Sequence, residues 1–168
     1  MRSNRFEKPQ LFVRESRELS LSNQALIDLL CAVLDKGFSF KFRTKGNSMV
    51  PFIKEGDIIT VSPLLTKKPR LGEVVAFIHP DTGKLIVHRI IKKQTKGFLL
   101  QGDGVIDHAD SQVPPECVLG RVTCIERNGT QTHLGLGFER VSIAWLVRLR
   151  LLIRFRKLFA FLNGSFNR

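Results

Sequence analysis

At 168 residues the chain is long enough for one domain and has little left over for a second. An apolar share of 43 % allows a sizeable core and excludes wholesale disorder, while 27 basic against 15 acidic residues give a net charge of +12. The longest run without a charge is Asn128 to Phe138, so no conventional spanning helix is visible, and residues 1–10 mix both signs with no apolar secretory segment behind them.

The first twenty residues lack periodicity and read as a flexible arm over 1–21. Ser22 is the N-cap expected of a helix running to about Lys36, with Leu26, Leu29, Leu30, Val33 and Leu34 on one face and Gly37 as its stop. Phe38, Phe40 and Phe42 then alternate with Ser39, Lys41 and Arg43, the period of a half-buried strand. From Thr44 onward the pattern is mainly β. Strands are predicted over 57–62, 73–78, 84–91, 97–101, 118–126 and 130–136, each bounded by turn residues. Pro80-Asp81-Thr82-Gly83 and Asn128-Gly129 mark two hairpins. The fold class is therefore mainly β, an antiparallel barrel-like or sandwiched domain behind one N-terminal helix.

The charge is uneven. Residues 47–137 are nearly balanced, whereas 138–168 carry seven basic residues against the single acid Glu139. Leu and Arg favour a basic C-terminal helix over 141–162. Alternation over 147–156 competes with it, placing Val147, Leu149, Leu151, Ile153 and Phe155 on one side. A basic, aromatic tail behind a balanced middle directs any polyanion, an anionic membrane surface above all, to 138–168. No recognised nucleic-acid motif is present, so no specific nucleic acid is expected. Cys31, Cys117 and Cys124 are irregularly spaced and form no CxxC pair, which points to incidental thiols. No metal or cofactor is expected.

Three stretches can carry chemistry. Gly46-Asn47-Ser48-Met49-Val50-Pro51, followed by Glu55-Gly56-Asp57, puts a serine hydroxyl on a loop, although such residues also make plain surface turns. In Ile86-Val87-His88-Arg89-Ile90-Ile91, His88 shares a strand face with Ile86 and Ile90. It is either a structural histidine or a base whose neutral imidazole accepts a serine proton. Gly102-Asp103-Gly104, with Asp107 and Asp110 behind it, is either a solvated loop or a weak cation site, and it holds the kind of carboxylate that a Ser–His pair requires.

Taken in order, these boxes resemble the signal peptidase I and LexA-type serine peptidase superfamily over about residues 41–121, roughly half the chain. Gly72-Glu73-Val74-Val75-Ala76-Phe77 and Val118-Leu119-Gly120-Arg121-Val122 complete the pattern. A histidine where bacterial signal peptidases and LexA-like repressors place a lysine is similar to the archaeal and endoplasmic-reticulum branch. The resemblance implies a signal-peptidase-like β domain over 22–137, with Ser48 as nucleophile, His88 as base and Asp110 as the orienting carboxylate. Asp103, Asn47 and Asp107 are supporting candidates. Gly46 stands where signal peptidases commonly carry a second oxyanion-hole serine, so Asn47 or another backbone N–H takes that place. The implied activity is a serine endopeptidase cleaving a leader or export signal from a precursor protein. Its location is peripheral to the membrane or cytoplasmic. The alternative is a LexA-like cytoplasmic regulator that cleaves itself or only binds a partner.

Overall fold

The alternating stretches assemble into one antiparallel sheet, seven strands among the residues that the computed structural model describes, 22–65, 68–105, 112–133 and 135–149. Helix α1 (Asn23–Asp35) starts as the sequence predicts, with the Ser22 hydroxyl accepting the Ala25 N–H. It stops at Gly37, which sits at a φ of +81° that a residue with a side chain rarely adopts. The strands are β1 (Phe40–Arg43), β2 (Ile58–Pro63), β3 (Val74–Ile78), β4 (Leu85–Gln94), β5 (Gly97–Gln101), β6 (Val118–Arg127) and β7 (Thr130–Thr132). Helix α2 (Arg140–Arg148) follows them. In space the strands run β1-β2-β6-β3-β4-β5, with β7 paired to β6. Both predicted hairpins form, β3 with β4 and β6 with β7.

The sheet is covered on both faces, which explains why Val74, Val75, Ala76 and Phe77 are all buried in succession. Val74 and Ala76 join Leu30 and Leu34 of α1, Ile59 and Val61 of β2, Val122 and Ile125 of β6, and Met49 and Ile53 of the loop before β2. Val75 and Phe77 take the opposite face with Ile90, Phe98, Leu100, Val113 and Val118. A third cluster seats Ile143 and Val147 of α2 on Ile91 of β4, beside Phe52 and Leu99. The helix is thus packed against the sheet through its apolar stripe.

Two strand boundaries differ from the sequence expectation by more than one residue. Strand β4 continues beyond Ile91 to Gln94 because β5 pairs with it, with a register shift at Ile91 between Ile90 and Lys92, and Lys92 and Lys93 are exposed. Strand β7 ends at Thr132 and not at Leu136. The following segment turns at Gly135, where φ is +86°, and both the Gly135 and Gly137 N–H groups donate to the Glu139 carboxylate. Those backbone groups are therefore withdrawn from the ladder. At the C-terminus the expected helix forms over Arg140–Arg148, so the competing alternation is not adopted at Val147 and Arg148, and residues 150–168 lie outside the described residues.

Leu30 is fully buried between α1 and the sheet. Leu30→Ala is expected to cost about 2–5 kcal/mol, the range for emptying a buried leucine site. Urea unfolding followed by far-UV circular dichroism measures it, and a loss below about 1 kcal/mol would contradict this packing.

Candidate active site

Strands β1 and β2 pair directly, so residues 44–57 form a loop whose two ends meet. The Thr44 N–H donates to the Asp57 carbonyl at 2.8 Å and the Gly56 N–H to the Thr44 carbonyl at 3.0 Å. The Thr44 hydroxyl closes the same gap by donating to the Lys54 carbonyl at 2.7 Å. Met49 and Ile53 anchor the loop by burying their side chains in the first core cluster. Asp57 ties it to β6. Arg127 forks onto the Asp57 carboxylate at 2.8 and 2.6 Å, and its guanidinium also donates to the Phe52 carbonyl. The Arg127 fork holds the Asp57 carboxyl below its ordinary value, helped by the Lys54 N–H and opposed by burial. The loop that carries Ser48 is closed at its base and pinned at its centre.

Ser48 is half-buried in a turn in which the Val50 N–H donates to the Asn47 carbonyl. Asn47 itself is exposed. Across from this turn, β4 carries His88, which is 8 % exposed and has the Phe77 ring 6.1 Å from its own. Cross-strand partners share a face, so the pairs Val75–His88 and Phe77–Ile86 put His88 on the face of Ile86 and Ile90, as the sequence predicts.

The two candidates are brought together by a glycine. A Cβ on Gly102 would lie 2.5 Å from the Ser48 carbonyl oxygen and 3.1 Å from His88 Nε2, so only a residue without a side chain lets the Ser48 main chain and the His88 ring approach here. Gly104 extends the contact. Its N–H donates to the Ser48 carbonyl at 2.8 Å, and a Cβ there would meet the Val50 carbonyl oxygen at 2.8 Å and that of Asn47 at 3.1 Å. The segment after β5 lies flat on the serine loop through these two glycines.

Between them, Asp103 turns inward. Arg89 Nε donates to one carboxylate oxygen at 2.8 Å and a terminal guanidinium nitrogen to the other at 2.6 Å, with both side chains fully buried. The remaining guanidinium nitrogen donates to the Gly72 and Gly135 carbonyls at 2.8 and 2.7 Å, and the guanidinium stands 5.4 Å from the centre of the Phe52 ring. Burial pushes the Asp103 carboxyl up from its ordinary value, while the Arg89 fork and then the charge of His88 pull it down. Arg89 is the residue whose importance the sequence analysis missed. Its signal was a cation at an alternate position of an apolar strand, with a Gly-Asp pair at the end of the next strand.

Asp107 and Asp110 lie outside the described residues. Among the described residues, no group of three or more His, Cys, Asp or Glu side chains is arranged to hold a metal ion. A larger cavity of about 360 Å³ lies away from Ser48 and His88, lined in part by Glu73, Arg121, His133 and Arg140.

The sequence profile of the Peptidase S24-like family matches residues 11–123, a span that contains Ser48, His88, Arg89 and Asp103. The chain belongs to the Peptidase S24-like family. It therefore falls in the superfamily of serine peptidases that unites LexA-type proteins and signal peptidases. A search of curated proteins finds no match. Within this S24-like chain the family match ends inside β6, before β7 and α2.

Two consequences can be measured on this S24-like protein. Asp103→Ala leaves the Arg89 charge buried without its partner and is expected to cost about 3–5 kcal/mol, whereas Arg89→Met with Asp103→Leu retains more stability than either single change. Equilibrium urea unfolding of the three variants checks this, and a neutral Asp103→Ala would contradict it. Asp57 has its folded pKa below the unfolded value, so its contribution is present above the usual carboxylate range, about pH 4, and is lost as pH falls through the folded pKa. Asp57→Asn should be less stable than the parent at pH 7, with the gap narrowing as pH falls below about 4. A gap independent of pH would contradict the ion-pair assignment.

Proposed function

We propose that the protein is a serine endopeptidase in which Ser48 is the nucleophile and His88 the general base. The observation that carries this reading is the convergence of the Ser48 main chain and His88 Nε2 on Gly102, in a chain of the S24-like family. Ser48 Oγ attacks the scissile carbonyl carbon, and His88 Nε2 takes the hydroxyl proton as the C–O bond forms. The tetrahedral oxyanion collapses with cleavage of the C–N bond, and the same proton passes to the leaving amine. Water then adds to the acyl-enzyme, again with His88 taking its proton, and releases the new carboxyl terminus with Ser48 restored.

The remaining roles follow this centre. Asp110 is the carboxylate assigned to orient the imidazole, and Asp107 is its nearest substitute in the chain. Asp103 supports the site through Arg89, which uses both of its oxygens. The oxyanion is met by the Ser48 N–H together with a second donor, for which Asn47 is the neighbouring candidate. A histidine and not a lysine at position 88 favours the branch of signal peptidases with a histidine base, so the proposed substrate is a precursor protein from which a leader or export signal is removed.

Purified protein incubated with peptides that span the leader junctions of export precursors, and analysed by mass spectrometry, tests the reading. Cleavage is expected after small residues, and Ser48→Ala and His88→Ala should each reduce it by at least about a thousandfold. Retained cleavage in either variant would remove that residue from the mechanism. A shortened chain in protein incubated alone, with no peptide cut, would replace the precursor peptidase with a self-cleaving regulator.

A further inference from the structure

The outer face of α2 has a composition that the site chemistry leaves unexplained. Ile143, Ala144 and Val147 are buried against the sheet, and the opposite stripe of the same helix carries Val141, Trp145 and Leu149 at 41, 54 and 55 % exposure. An exposed tryptophan between two exposed aliphatic residues is an unusual way to finish a surface helix. Basic groups surround it. The Arg148 guanidinium stands 5.9 Å from the centre of the Trp145 ring, and Lys92 and Lys93, both exposed, lie at the adjoining end of β4. Trp145, Arg148, Lys92 and Lys93 line one shallow cavity of about 110 Å³ floored by Leu71 and Ile91, and no carboxylate lines it. Glu139, the single acid of residues 138–168, is engaged in hydrogen bonds with the Gly135 and Gly137 N–H groups.

We infer that this face, α2 together with Lys92 and Lys93 of β4, docks on an anionic phospholipid surface. The indole takes the boundary between headgroups and acyl chains, where an amphipathic ring is most stable. Val141 and Leu149 enter the apolar side, and Lys92, Lys93 and Arg148 meet the phosphates. A base could stack on Trp145, but Val141 and Leu149 beside it would stay in water against a nucleic acid and are buried against acyl chains, so charge and apolarity together select the lipid. The chemistry continues in the chain beyond α2, where Arg150, Arg154, Arg156 and Lys157 alternate with Leu and Phe and no acid occurs. The inference concerns a surface remote from Ser48 in the chain and stands whether or not the peptidase reading does.

Trp145 is the only tryptophan, so intrinsic fluorescence reports this face alone. Full-length protein is mixed with vesicles of phosphatidylcholine, or of equal phosphatidylcholine and phosphatidylglycerol. The anionic vesicles are expected to shift Trp145 emission to the blue and shield it from iodide, and high salt should reverse the effect. Neutral vesicles should leave it unchanged. Reversing three exposed charges (Lys92→Glu, Lys93→Glu, Arg148→Glu) should weaken binding by at least about a hundredfold. Salt reversal in the unaltered protein keeps the test independent of how that variant folds. The inference is overturned if anionic vesicles bind without changing the emission, or fail to bind. It is also overturned if Trp145 is already blue-shifted and shielded before vesicles are added, since another part of the chain then covers the face. An equal shift with polyuridylic acid would assign the face to nucleic acid instead.

Discussion

The arrangement around Ser48 and His88 depends on the burial of one guanidinium. Arg89 has no solvent exposure, and a buried cation is tolerated only when its charge and its donors are satisfied by the protein. That requirement reaches well beyond a single contact. It brings Asp103 back beside β4, turns the Gly72 and Gly135 carbonyls inward, and sets the Phe52 ring beside the cation. Three turns distant in sequence are thereby fixed to one strand position, adjacent to His88. The pair contributes less as net stabilisation than as a constraint, because an unpaired charge in any alternative packing would be far more costly.

Seen from the serine, the same constraint arrives through glycine. With Asp103 held by Arg89, Gly102 and Gly104 on either side of it are pressed onto the Ser48 loop, and neither has room for a Cβ. The loop meets them already organised by the Thr44–Asp57 closure, the buried Met49 and Ile53, and the Arg127 fork on Asp57. Two ion pairs thus hold the two sides of the site, one buried on the histidine side and one partly exposed on the serine side. For the serine–histidine centre proposed above, rigid supports of this kind would reduce the reorganisation that a reaction demands.

Much of this was legible in the residues. The alternation of β4 predicts the face of His88, and the turn chemistry around Pro80–Gly83 and Asn128–Gly129 predicts both hairpins. Boundaries were misread where tertiary contacts override local pattern. Strand β4 extends through two lysines because β5 supplies a partner, and β7 stops early because Glu139 captures the backbone N–H groups of Gly135 and Gly137. The role of Arg89 was hidden for a different reason. Its partners lie at positions 72, 103 and 135, and no local periodicity relates them. The basic residues spread through the C-terminal region concealed that α2 packs an apolar stripe on the sheet while presenting Trp145 outward.

Membership of the S24-like family and the approach of Ser48 to His88 reinforce each other, since one comes from sequence pattern and the other from packing. What joins them is the claim that Gly102 sets the spacing between the serine loop and the imidazole. The most direct measurement is the turnover of Gly102→Ala on a peptide that the parent protein cleaves, alongside its thermal unfolding midpoint. A methyl group there must displace the Ser48 carbonyl or the His88 ring. kcat should therefore fall by about a hundredfold with KM little changed and the midpoint lowered, while the protein still unfolds in one cooperative transition. A Gly102→Ala protein that turns over at the parent rate would contradict the claim.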